Sequence, residues 1–126
     1  MLWMAVAIGG AVGSVARHGV NVLVTRLNGH AVPYATAVVN IIGCLTIGWL
    51  AGMVATGNLR MTTTMRAFVF VGVLGGFTTF SSLGLDTFVL VQDGERSAAF
   101  WNLIVQIGVG LPAVFVGYAL GRGSTI

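Results

Sequence analysis

Gly72 to Ser82 reads GVLGGFTTFSS, and its reading decides the fold. The stretch lies inside Ala67 to Leu85, a segment free of Asp, Glu, Lys and Arg, whose apolar residues ask for a helix in lipid. Its centre does not suit one. Two adjacent glycines each cost a helix about 1 kcal/mol relative to alanine, and Thr78, Thr79, Ser81 and Ser82 compete for backbone groups. The pattern predicts a membrane helix interrupted at Gly75 to Thr79. In lipid, broken backbone is tolerated only where it is buried in protein or lines a cavity, so the break belongs at the centre of the protein. Its freed carbonyls would suit a cation such as Na⁺.

Outward from this point the chain keeps the same character. It is 126 residues long, 56% hydrophobic and 7% charged, where a soluble domain carries about 25% charged residues. Further stretches without charge run from Leu2 to Ala16, Leu27 to Leu59 and Ser97 to Gly121. A bilayer core takes about 20 helical residues per crossing. The expected fold is therefore an all-α membrane protein, a single domain over 1–126, with four transmembrane helices at about 2–25, 33–56, 66–91 and 98–120 and the third broken near its middle. Pro33 suits the first turn of the second helix. Met1 to Ala16 lacks a basic start and is expected to remain as the first helix rather than to be cleaved as a signal. Four helices enclose a polar path poorly, so the chain should oligomerise.

The six basic residues are all arginine and are scattered singly, which excludes a basic patch for nucleic acid. Even spans put both termini on one side, with Arg60, Arg66 and Arg122; Arg26 and Arg96 lie on the other, with Arg17 nearer to them. Orientation normally follows such counts, and here they nearly balance. Either one or two charges suffice, or the chain inserts both ways and pairs as antiparallel dimers. Cys44 is the only cysteine and excludes an intrachain disulfide. Gly9 and Gly13, Gly48 and Gly52, and Gly117 and Gly121 are spaced for close helix packing. No catalytic set is apparent, and neither His18 nor His30 has partners for metal.

The candidate chemistry is that of a path. Asn40 lies mid-helix with Thr36 one turn before it. Amide and hydroxyl donors without a lysine suit a small anion that must leave again. Phe77 and Phe80 are three apart and could share a face, turning their partly positive ring edges to the anion. Arg17 could draw anions into a vestibule, tie down an interface or reach to the membrane surface. Asp86 is expected at the rim.

At these residues the chain resembles the fluoride channel family known as Fluc or CrcB. The resemblance runs through GGAVGSVAR (Gly9 to Arg17), Pro33, Thr36, Asn40 and Gly43, and most specifically GGFTTFS (Gly75 to Ser81). It implies an antiparallel, dual-topology homodimer in the inner (plasma) membrane with two pores, exporting fluoride passively to relieve toxicity. It further implies a structural Na⁺ at the dimer centre on the carbonyls of Gly75 and Thr78. Asn40, Phe77, Phe80, Thr36, Ser81 and Thr79 would form the anion pathway, and Arg17 the vestibule or interface. The chain departs from the pattern at His18, Ala35 and Cys44. In helix 4, Gln106 and Gly108 stand where polar lining is usual, and Pro112 is uncommon. The rival is a small proton-coupled multidrug antiporter. Such exchangers resemble one another in an acid on helix 1, and none is present here.

Overall fold

The computed structural model describes residues 1–29 and 34–123; His30 and Pro33 lie outside them. Among the described residues every regular element is helical: α1 Leu2–Asn28, α2 Tyr34–Ala55, α3 Thr63–Arg66, a π-helical segment Ala67–Leu74, α4 Gly75–Phe77, α5 Phe80–Gln92 and α6 Arg96–Gly121. Three helical runs, Tyr34–Ala55, Thr63–Gln92 and Arg96–Gly121, are long and apolar enough to cross a membrane. The chain is an α-helical membrane protein. α1 has the length, 27 residues, but its second half holds Arg17, His18, Asn21 and Arg26. It is not one of those three.

Capping explains where the helices stop. α1 runs three residues past the expected Thr25 because Gly29 takes a left-handed conformation (φ 70°) and returns its N–H to Thr25 O, a helix end that glycine adopts without strain. The third run starts at Thr63 rather than Arg66 because the Thr62 hydroxyl accepts from Met65 N at 3.2 Å. α6 begins at Arg96 and passes through Pro112.

Packing pairs α1 with the π-helical segment and α4, α2 with α6, and α5 with α6. Glycine sets the distance in both large contacts. A Cβ on Gly13 would strike Val73 O and lie 2.8 Å from Phe77 N, and one on Gly72 would lie 2.8 Å from Gly9 Cα. On the other side Gly48 and Gly52 face the backbone of Val114 and Tyr118, while Gly117 and Gly121 face that of Leu45 and Trp49. Backbone on backbone is how helices gain van der Waals contact in lipid, where no hydrophobic drive remains. A π turn is rare and local in most helices. Here eight residues adopt it, along the side where Phe68 O and Val73 O meet the α1 glycines.

Gly13→Ala should lower the detergent melting temperature by an amount equivalent to about 1–3 kcal/mol, the usual cost of overpacking. Gly19→Ala, which meets nothing within 4 Å, should not. Equal melting of the two variants would refute this packing.

Candidate functional site

The interruption is two residues long. Thr78 (φ −83°, ψ 157°) and Thr79 (φ −154°, ψ 119°) are extended, between helical turns on either side. The glycines that predicted the break remain helical in α4; the β-branched threonines, which fit extended backbone better, carry it. Thr78 closes α4 by donating its N–H and its hydroxyl to Leu74 O, at 3.0 and 2.9 Å. Thr79 opens α5 by accepting from Ser82 N at 3.2 Å.

An unbroken helix would have bonded Thr79 N to Gly75 O and Ser82 N to Thr78 O. Both donors go elsewhere. Thr79 N donates to Asn40 Oδ1 at 2.8 Å, and Ser82 N to the Thr79 hydroxyl. The carbonyls of Gly75 and Thr78 thereby lose their helical partners. These are hard oxygen ligands of the kind that broken membrane helices turn to Na⁺, so the donor set fits such an ion.

Asn40 is the counterpart of the break. Besides accepting from Thr79 N, its Nδ2 donates to Thr79 O at 3.0 Å, so one carboxamide satisfies both backbone groups of the extended residue. The second Nδ2 hydrogen goes to Gln106 Oε1 at 2.7 Å. From there Gln106 Nε2 donates to Asn102 Oδ1 (2.8 Å), Asn102 Nδ2 to Thr87 Oγ1 (2.9 Å), and Thr87 Oγ1 to Leu83 O (2.7 Å). Every donor in this chain points the same way, from Asn40 across α6 and back to α5.

Two cavities flank the chain. A groove of about 460 Å³ borders the break, lined among others by Asn40, Thr78, Thr79, Phe80, Leu83 and Gln106. A cleft of about 430 Å³ between the starts of α2 and α6 is lined by Tyr34, Glu95, Trp101 and Asn102. The Gln106–Asn102 bond joins one to the other.

The structure thus brings Gly75, Asn40, Thr78, Thr79 and Phe80 to one groove. Thr36 is buried apart from it and donates to Asp86 Oδ2 at 2.7 Å. Asp86 is therefore half-buried and tied to α2. Ser81 is exposed, 3.2 Å from the Thr79 hydroxyl. Phe77 and Phe80 do not share a helix face, because the extended pair lies between them. Phe77 is half-buried near Gly43, whereas Phe80 is 82% exposed. Arg17 is half-buried one turn beyond Gly13 on α1, the glycine that meets Phe77 N. Asn102, Thr87 and Leu83 were not among the expected residues. Asn102 and Gln106 do carry a signal, two carboxamides four apart on one face of an otherwise apolar helix. Leu83, apolar in an apolar run, carries none.

Comparison with known proteins gives one answer. The family profile described as "CrcB-like protein, Camphor Resistance (CrcB)" matches residues 4–118. A protein of Paracoccus denitrificans named fluoride-specific ion channel FluC is 43% identical over 121 residues, 96% of this chain and 94% of its own. Proteins of the same name from Agrobacterium fabrum (45% over 117 residues, 93% of each chain) and Roseiflexus (37% over 119 residues, 94% of this chain and 95% of its own) are also similar.

Asn40→Leu should strip Thr79 of both partners. Leaving buried polar groups unsatisfied costs about 1–3 kcal/mol each, so hydrogen exchange in the peptide spanning residues 74–83 should accelerate markedly. Unchanged protection there would show that Asn40 does not hold the break.

Proposed function

This chain belongs to the CrcB-like family, and on that premise we propose that it is a fluoride-selective channel through which fluoride leaves the cytoplasm down its gradient, relieving its toxicity. It is not an enzyme. One observation supports the path in this chain most directly: in the middle of a charge-free apolar run, a helix break whose Gly75 and Thr78 carbonyls lack their helical donors borders a largely apolar groove that the side chains of Asn40, Thr78, Thr79 and Gln106 line at its polar points. Such a groove offers polar contacts to a small anion and no lysine to trap it. Arginine stays outside it, with Arg17 placed on α1 as a vestibule or interface charge. The proposed pathway residues are Asn40, Thr36, Thr79, Ser81, Phe77 and Phe80. The multidrug-antiporter reading loses ground because α1 has no acidic residue to carry a proton.

The same residues support a proposal for the assembly. We assign α1 as a fourth crossing, and we place two oppositely inserted copies about the break in the inner membrane. One chain offers Gly75 O and Thr78 O, too few oxygens for an alkali cation; an inverted second copy doubles them and gives the symmetry that transporters with inverted repeats build within one chain. A Na⁺ at this centre would hold the two breaks together. Phe80, 82% exposed on the single subunit, would then complete a pore with residues of the other copy, and two pores would run beside one dimer axis.

Purified protein in liposomes should release fluoride and retain chloride, and Asn40→Asp and Phe80→Ala should both slow fluoride release. Equal release of the two ions would defeat the selectivity; full release by both variants would defeat the assigned pathway.

Replacing Na⁺ by a bulky organic cation during purification should lower both the melting temperature and fluoride release, and a C-terminal reporter should appear on both membrane faces. Insensitivity to Na⁺ would remove the cation from the assembly, and a reporter confined to one face would remove the antiparallel pairing.

A further inference from the structure

The proposed pathway leaves Gln106 without a part, although it is 6% exposed in the membrane interior and bonded on both sides. Its Oε1 accepts from Asn40 and its Nε2 donates to Asn102. Thr79 presents an N–H and a C=O to Asn40, so the Asn40 carboxamide has only one favourable orientation: turned over, it would set N–H against N–H and oxygen against oxygen. Its second N–H must then point at α6 and needs an acceptor there. Gln106 Oε1 is that acceptor.

We infer that Gln106 is a positioning residue for the anion pathway, holding Asn40 against Thr79 and so holding the helix break in its extended shape. It acts through Asn40 rather than by touching the ion. Without an acceptor from α6, the Asn40 amide is drawn away from Thr79 toward any other partner, and the break loses the group that satisfies it. A side chain at position 106 therefore needs an acceptor toward α2 and a donor toward Asn102; a second N–H is dispensable.

That requirement separates two substitutions. Gln106→Leu removes both links. Gln106→Glu, buried in low dielectric, favours its neutral form, whose carbonyl accepts from Asn40 and whose O–H donates to Asn102. Ionised, the same side chain has no donor and sets an oxygen against Asn102 Oδ1. Titratable groups bordering the chain are Cys44 of α2 in the same groove, Asp86 of α5 held by Thr36, and Tyr34 and Glu95 across the cleft beside Asn102. All are present in the unmodified protein, which serves as the baseline at each pH.

The test rests on the fluoride-channel reading and is arranged to fail separately from it. Fluoride release is measured between mildly acid and mildly alkaline pH for the unmodified protein, Gln106→Glu and Gln106→Leu, with detergent melting temperatures of the three alongside. Gln106→Leu should be slower by about tenfold at every pH, the scale of one unsatisfied buried group. Gln106→Glu should match the unmodified protein at the acid end and fall to the leucine level as pH rises, in release and in melting alike. Two slow variants at every pH would make Gln106 a direct donor to the ion, and two fast ones would make it a bystander; either overturns the inference. If the unmodified protein moves no fluoride, the channel reading fails, and the melting order alone then decides the role of Gln106.

Discussion

The structure depends on the pairing of Asn40 with Thr79. A peptide group left bare at membrane depth costs several kcal/mol, and the extended Thr79 presents both an N–H and a C=O to be satisfied. One carboxamide answers both, at 2.8 and 3.0 Å. The pairing needs α2 close to the break, and Gly43, one turn beyond Asn40 on the same face, allows it. A Cβ there would collide with Thr78 Cγ2. Thr36, one turn before Asn40, extends the same face and holds Asp86 of α5. The face Thr36–Asn40–Gly43 therefore fixes both sides of the break: it admits Thr78, satisfies Thr79 and ties α5.

Once Asn40 takes the Thr79 N–H, the Gly75 carbonyl has lost its helical donor, and the Thr79 hydroxyl has taken the one due to Thr78. The bare oxygens are thus a product of side chains that stabilise the break, and the few polar side chains that line the groove, Asn40, Thr78, Thr79 and Gln106, belong to the same arrangement. A membrane protein gains a polar interior here without burying a lysine or an unpaired acid, since among the described residues every fully buried side-chain nitrogen or oxygen but Asn21 Oδ1 has a partner.

Much of this was legible in the sequence, and the rest was not for definite reasons. The charge-free runs gave the helical membrane class, and GGFTTFS gave the break to within a few residues. The extended pair Thr78–Thr79 lies inside the expected interval Gly75 to Thr79, but composition alone does not say whether its glycines or its threonines carry the break. Gly76 is a contact surface, where a Cβ would lie 2.6 Å from Gly10 O, and the threonines make the break because their hydroxyls cap both neighbouring helices. The shared face of Phe77 and Phe80 failed for the same cause: three-residue spacing has meaning only inside a continuous helix. Asn40 stood out as a polar residue in an apolar run, but which backbone it meets depends on how α2 crosses the third span. The π-helical turns leave no mark in AFVFVGVL, whose residues would serve an α-helix as well.

The hydrogen-bond chain closes on the element from which it starts. It leaves Thr79, the cap of α5, passes through Asn40 on α2, crosses to Gln106 and Asn102 on α6, and returns through Thr87 to Leu83 O in the first turn of α5. Both of its ends thus lie on a stretch of five residues, with Phe80 between them. Phe80 itself is exposed and receives little support from packing within the subunit. Its direction is set because α5 can neither rotate nor slide without breaking bonds to two other helices at once. Leu83, buried and one turn further on, adds the packing that Phe80 lacks. A side chain that must stand free in a groove can therefore be aimed by the backbone on either side of it, and the polar chain supplies that rigidity in a medium where apolar contact alone would let the helix turn.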